Sequence, residues 1–276
     1  MIAALPRLHA VTDDRVAARG GLVERAAAMA AAAGPRLAVH LRSRLPGGAA
    51  LLDLARRLAA ALEPHGAWLV VNDRADVARA APARAVQAGR GGLGTRDLRR
   101  VAPGLAVGRS VHDAGEARAA RADGADFLVA GAVFPTASHP LAPAAGTGLV
   151  TAAAATGVPV IAIGGITPAL AAEVVAAGAW GVAAIRALWD APDPAEAARA
   201  FLAALPAAPG VTVTVNGESR PVAEGTTLRE LLAQLGLDPR AVVVEHNRRI
   251  VRRDALAATR VAGGDAIELV HFVGGG

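Results

Sequence analysis

Four groups of residues in this chain have the types and spacing to handle an anionic ligand. The first is Pro159–Ile166, PVIAIGGI, in which five apolar residues read as a buried strand and two glycines let the backbone approach a ligand closely. Thr167-Pro168 follows as a cap and a first-turn proline. Unpaired amides and the positive end of a helix at such a strand end suit a phosphate oxygen, although a tight turn with no ligand would use the same residues. The second group is His40, Arg42 and Arg44, which alternate, so a period of two puts them on one strand face. Two guanidiniums there make a bidentate grip on phosphate or carboxylate; a rim salt bridge to Asp13 or Asp73 is the simpler use. Asn72-Asp73 is the third group, an amide and a carboxylate that can orient a substrate or contribute oxygens to Mg²⁺, one carboxylate being a thin donor set. The fourth is the loop Gly131–Gly148, with Thr136, Ser138 and His139; His139 is its one side chain able to exchange a proton near neutral pH.

These groups need a frame that brings strand ends together. Short apolar runs recur at Leu8–Val11, Leu37–Leu41, Ala67–Val71, Ala85–Ala88, Leu105–Val111, Phe127–Val133, Val160–Ile163 and Gly181–Ile185. Alanine-rich amphipathic stretches such as Leu51–Leu62 and Ala169–Ala177 lie between them. Strand and helix alternating eight times predicts an α/β fold, a (β/α)8 TIM barrel, with a doubly wound sheet as the other arrangement. In a barrel, chemistry sits where strands end. The third strand end carries Asn72 and Asp73, the fifth Ser110 and His112, the seventh Gly164 and Gly165, and the eighth Ile185 and Arg186.

Composition narrows the chemistry. The 276 residues carry no cysteine, which removes disulfides and thiolate nucleophiles, and all 29 basic residues other than histidine are arginine, which removes a Schiff-base lysine. A net charge of +5 spread along the chain, with no basic stripe, argues against nucleic acid. Phe127–Ala172 has no Asp, Glu or Arg, but Pro135, Pro140, Pro143 and Pro159 cut it too often for a membrane helix, and the N-terminus lacks a signal pattern. The expectation is a cytoplasmic protein without a membrane or nucleic-acid partner; whether it is a homo-oligomer stays open.

Residues 206–210 read as a linker, and the pattern beyond them changes. Val211–Val215 alternates, Asn216-Gly217 is a hairpin turn, Thr226–Leu235 is a capped helix, and Ala241–Glu245, Arg249–Val251 and Ala266–Phe272 supply strands. That order is the β-grasp, or ubiquitin-like, pattern. The expected domains are residues 1–205, the linker, and 211–276. The chain ends on Gly274-Gly275-Gly276, a tail thin enough to carry its carboxylate into another enzyme's active site, though glycine also suits a frayed end.

Leu8–Asp14 (LHAVTDD), His40–Arg44 (HLRSR), Gly108–His112 (GRSVH), Gly131–Thr136 and Ile163–Ile166 resemble the thiamine phosphate synthase/TenI superfamily over about residues 5–205. Residues 211–276 resemble ThiS, the sulfur carrier of thiazole biosynthesis, through the opening hairpin and the ending HFVGGG. The synthase pattern has Gln and Lys where this chain has His40 and Arg44, and Thr-x-Thr-Lys where it has Thr136-Ala137-Ser138-His139. Its second metal carboxylate is missing from Val86–Leu93, so Asp73 is what remains of an Mg²⁺ site.

The TenI branch fits these residues better and implies a thiazole tautomerase, which aromatises a carboxy-dihydrothiazole phosphate by a 1,3-proton shift without cofactor or metal. TenI proteins can carry a catalytic histidine at the position of Ala132, so His139 or His40 is expected to move the proton. Arg42 and Arg44 are then expected to hold the carboxylate, and Gly164, Gly165, Ile185 and Arg186 the phosphate, with Asn72, Asp73, Ser110, Thr136 and Ser138 lining the site. The alternatives are a synthase using Mg²⁺ on Asp73 to couple a pyrimidine pyrophosphate to thiazole phosphate, and a non-catalytic ligand-binding barrel. For the second domain the resemblance implies that a ThiF-type enzyme adenylates Gly276, beside Gly275, that Gly276 becomes a thiocarboxylate, and that thiazole synthase receives the sulfur.

Overall fold

A computed structural model describes residues 5–44, 47–136, 144–206, 210–223 and 225–271. Chain contacts divide it into two compact units, one spanning Leu5–Pro206 and the other built from the residues beyond it.

In the first unit eight parallel strands close into a barrel in sequence order. They are β1 (Leu8–Val11), β2 (Leu37–Leu41), β3 (Trp68–Asn72), β4 (Ala85–Ala88), β5 (Ala106–Val111), β6 (Phe127–Ala130), β7 (Val160–Ile163) and β8 (Gly181–Ala184). Leu8 pairs with Leu37 on one side and Val182 on the other, which closes the ring. The helices are α1 (Asp14–Ala18), α2 (Leu22–Ala33), α3 (Gly48–Leu62), α4 (Ala75–Ala80), α5 (Thr95–Val101), α6 (Ala114–Ala122), α7 (Thr147–Ala154), α8 (Pro168–Ala176), α9 (Arg186–Trp189) and α10 (Pro194–Ala204).

Parallel strands covered by helices are buried on both faces, which is why these runs are nearly unbroken Ala, Val, Leu and Ile. In α3 the buried residues Leu51, Ala55, Leu58 and Leu62 recur at helical spacing and turn one stripe to the strands. Truncating Leu58 to alanine should cost about 2–5 kcal/mol. The Trp189 indole N–H donates to Val11 O at 2.9 Å and ties the last βα unit to the first strand.

β6 ends at Ala130, three residues before the apolar run does. Past it the chain leaves the ladder, and the amides of Val133 and Phe134 donate to Ile163 O and Gly164 O at 2.9 and 3.0 Å. The sixth loop is thereby laid across the end of β7.

The second unit is a five-stranded sheet in the order β10-β9-β13-β11-β12 with one described helix. Its strands are β9 (Gly210–Val215), β10 (Glu218–Ala223), β11 (Val242–His246), β12 (Arg249–Val251) and β13 (Ala266–His271); its helix is α11 (Leu228–Gln234). Asn216 and Gly217 both take positive φ, 49° and 80°, as a two-residue hairpin turn requires. Thr227 and Glu230 form a reciprocal capping box at the start of α11. Val213, Val215, Leu231, Leu232 and Ile267 make the core, and β9 and β13 pair in parallel. That is the β-grasp arrangement. Among the described residues no helix is long and apolar enough to cross a membrane.

Candidate active site at the barrel mouth

The C-terminal strand ends open on a cavity of about 1230 Å³ lined from all eight strands and the loops after them. Of the expected site residues, His40, Arg42, Arg44, Asn72, Asp73, Ser110, Thr136, Gly164, Gly165, Ile185 and Arg186 all line it. Ser138, His139, Gly275 and Gly276 lie outside the described residues.

At the floor is a buried polar chain. His9 Nε2 lies 2.9 Å from Pro6 O, and His9 Nδ1 lies 2.7 Å from His40 Nε2. The other hydrogen-bonding partner of the His40 ring is the Asn72 side chain. Burial pushes the His9 imidazole down to about 4 and His40 well below its ordinary value, so both rings are neutral at pH 7. Pro6 O only accepts, which fixes the proton of His9 on Nε2. Its Nδ1 must then accept from His40 Nε2–H, and Asn72 is the side chain beside the rest of the His40 ring. Asn72 Oδ1 is a buried oxygen without a partner among the described residues. Gln87, which donates through Nε2 to Ser110 Oγ at 3.0 Å, offers a second such oxygen in Oε1.

Above the floor, Thr12 Oγ1 bonds both the N–H and the C=O of Arg42, at 2.8 and 2.9 Å. Asp14 Oδ1 accepts from Ser43 Oγ and from the Arg44 N–H at 2.9 and 2.7 Å. The Arg44 amide, then the Ser43 hydroxyl and the Arg42 and Arg44 charges, hold the Asp14 carboxyl below its ordinary value. The backbone of the arginine pair is therefore fixed, and among the described residues neither guanidinium is in an ion pair; Asp13 instead caps α1. Arg74 and Arg90 also line this side, paired with Asp76 and Glu116 at 2.6 and 2.7 Å.

Across the mouth the lining is backbone. Gly164 and Gly165 have φ of 105° and 66°, and a Cβ on Gly164 would sit 2.7 Å from Ala132. Only glycine allows that turn under the sixth loop. No main-chain carbonyl of the described residues accepts from the N–H of Gly165, Ile166 or Thr167, and α8 begins at Pro168 immediately after. Ile185 and Arg186 complete the cup from β8. Loops after strands seven and eight, with a short helix start, are the usual barrel phosphate site.

The thiamine monophosphate synthase family profile matches residues 8–188, about two thirds of the chain. The chain belongs to the thiamine monophosphate synthase family. Residues 213–276 match the ThiS family. The chain is 42% identical over 207 residues to a thiamine-phosphate synthase of Salinispora arenicola, covering 74% of this chain and 99% of that one. It is 46% identical over 173 residues to the thiamine biosynthesis bifunctional protein ThiM/ThiE of Symbiobacterium thermophilum, covering 62% of this chain; the match spans 36% of that longer protein. Among solved structures, thiamine phosphate pyrophosphorylase from Pyrococcus furiosus superposes with a TM-score of 0.64 at 31% identity, covering 72% of this chain and 94% of that one.

A synthase of this family implies Mg²⁺, so its donor set matters. Asp73 takes φ 60°, and its Oδ1 accepts the Gly89 N–H at 2.8 Å. Gly92 leaves room for that carboxylate, since a Cβ there would lie 2.8 Å from Asp73 Oδ1. The loop after β4, which holds Arg90, carries no second carboxylate, and no group of three His, Asp or Glu side chains gathers among the described residues. The residues fit Mg²⁺ at its minimum: one carboxylate, with phosphate oxygens and water completing the shell.

Several residues of this family member's site escaped sequence reasoning. His9 and Gln87 lie inside apolar runs and show their role only once strands pair. Glu116 had a signal in its i,i+4 spacing from His112, which the sequence does place at the fifth strand end.

Proposed function

We propose that the chain is bifunctional in thiamine biosynthesis: its barrel joins a pyrimidine pyrophosphate to thiazole phosphate, and its β-grasp domain carries sulfur. The observation that carries the barrel reading is the pair of anion cradles on one cavity. Arg42, Arg44, Arg74 and Arg90 stand over β2–β4, and the Gly164-Gly165 turn and Arg186 stand over β7–β8. On the closed barrel β1 separates them on one side and β5–β6 on the other. Two cradles suit two phosphorylated substrates. The names of relatives sharing up to 46% identity support the same reading.

In this reading Arg42 and Arg44 fork onto the pyrophosphate and the Gly165–Thr167 amides hold the thiazole phosphate. The two anchors set the thiazole nitrogen against the pyrimidine methylene carbon, replacing random encounter by fixed approach. His40 has both ring nitrogens engaged inside the barrel, so we assign it to positioning Asn72 rather than to proton transfer. Mg²⁺ on Asp73 would neutralise charge on the departing pyrophosphate.

A second reading, the thiazole tautomerase, is favoured by the lack of a second metal carboxylate in the loop after β4. Two parallel assays on the full chain separate them. One follows thiamine phosphate from the pyrimidine pyrophosphate, thiazole phosphate and Mg²⁺; the other follows the ultraviolet absorbance of thiazole formed from the carboxy-dihydrothiazole phosphate without metal. Thiamine phosphate formation is the expected result, and aromatisation alone would overturn it for the tautomerase. Silence in both would leave a ligand-binding barrel.

For the carrier domain, Gly276 is the group a ThiF-type enzyme would adenylate and convert to a thiocarboxylate for thiazole synthase. Intact-mass measurement after incubation with that enzyme, ATP and a sulfur donor should show oxygen replaced by sulfur, and Gly276→Ala should abolish it.

A further inference from the structure

Among the described residues two histidines line the cavity, and they differ in one respect. His40 is buried with both ring nitrogens used inside the fold, whereas 43% of the His112 side chain is exposed. His112 Nδ1 lies 2.9 Å from Glu116 Oε2, and the same oxygen accepts the His112 main-chain N–H at 2.8 Å. Glu116 itself is placed by Asp113, the cap of α6, whose Oδ1 accepts the Glu116 N–H at 2.8 Å. Its other oxygen, Oε1, receives Arg90 Nε at 2.9 Å. Partial burial alone would raise the Glu116 carboxyl, but the hydrogen bonds from His112 and Arg90 outweigh it and hold the group below its ordinary value. A charged carboxylate on Nδ1 fixes the tautomer and aims the ring, and Nε2 has no partner among the described residues. A base oriented by a third group, with its far nitrogen free at a cavity wall, is the arrangement of a general acid or base.

We propose that His112, oriented by Glu116, is a further catalytic residue of the barrel and protonates the leaving pyrophosphate. The inference rests on the synthase reading above. The thiazole nitrogen lone pair forms the new C–N bond to the pyrimidine methylene carbon while the C–O bond to pyrophosphate breaks and its electron pair stays on that oxygen. The oxygen takes the proton from His112 Nε2, and the neutral imidazole regains one from water. The charged groups beside His112 are Glu116 on α6, Asp113 at its cap and Arg90 after β4, while Asp73, Arg42, Arg44, Arg74 and Arg186 share the cavity wall. A protonated His112 is required, so kcat falls on the alkaline side of its pH profile.

The test uses the full chain and the variants His112→Asn and Glu116→Gln. His112→Asn should lower kcat about 10²-fold with KM within about threefold, and should remove the alkaline limb of the pH profile. Glu116→Gln should lower kcat about 10-fold and move that limb. Unchanged kcat and pH profile in His112→Asn would overturn the proposal. If the wild type forms no thiamine phosphate, the synthase reading fails, and inorganic pyrophosphate tests His112 by itself. The His112 ring resonances, assigned by their loss in His112→Asn, should shift when pyrophosphate binds; resonances that pyrophosphate leaves untouched would refute it.

Discussion

On the reading proposed above, the two sides of the barrel mouth would bind anions by different means. Over β2–β4 the charge is on side chains, Arg42 and Arg44 foremost, whose main chain is pinned by Thr12 and Asp14. Over β7–β8 the donors are main-chain amides that glycine conformation alone makes available. A side-chain grip can be retuned by substitution, as His40 and Arg44 illustrate where the synthase pattern has Gln and Lys. A backbone grip has no such freedom, because its geometry is the fold.

That contrast predicts its own ranking of damage. Gly165→Val is the most harmful change: φ of 66° is a strained position for a branched residue, and a Cβ would lie 2.9 Å from Phe134 Cβ. Turnover should fall by at least about 10³-fold, with KM for the thiazole phosphate rising, in steady-state assays. Arg42→Ala should cost about 10²-fold in kcat/KM for the pyrophosphate substrate, the value of a charge-assisted pair, and Arg42→Lys should restore only part because the fork is lost. An Arg42→Ala variant as active as wild type would show that the side-chain cradle is not used.

The floor beneath both cradles predicts a pH effect on stability. His9 titrates near 4 when folded and near 6.5 when unfolded, so between these values the unfolded chain binds more protons. Stability is full above about pH 6.5 and falls as pH drops toward 4, by on the order of 3 kcal/mol from this group. Urea unfolding between pH 7 and 4 measures it, and His9→Gln should flatten the curve. The smallest effect is expected at Arg74, whose fork is already held by Asp76 at 2.6 Å. Arg74→Ala should change kcat/KM less than about threefold; a loss as large as that of Arg42→Ala would mean the four arginines act as one field.

Much of the fold was legible because both domains obey simple patterns. Unbroken Ala, Val and Leu runs alternating with helices gave the barrel, and Asn216-Gly217 gave the hairpin of the second domain. Strand ends were less legible: Val133 is as apolar as Ala130, and only the carbonyls of Ile163 and Gly164 show why the ladder stops before it. Site residues carried by motif, such as Gly164-Gly165 and Arg42-x-Arg44, were legible as a group. The partnership of His9 with His40 was not, since 31 residues separate them and only the β1–β2 register brings the rings together. For the same reason the proton-transfer role given to His40 had no way to include its enclosure.

The account's central claim is that one cavity holds two anions at once, and simultaneous binding tests it most directly. Titrating thiazole phosphate into the full chain, alone and with saturating inorganic pyrophosphate, should give two sites that fill together, with affinities coupled by less than about 10-fold through charge repulsion. Strict competition between the two ligands would contradict it, because it would mean that the arginine side and the glycine side form a single anion site.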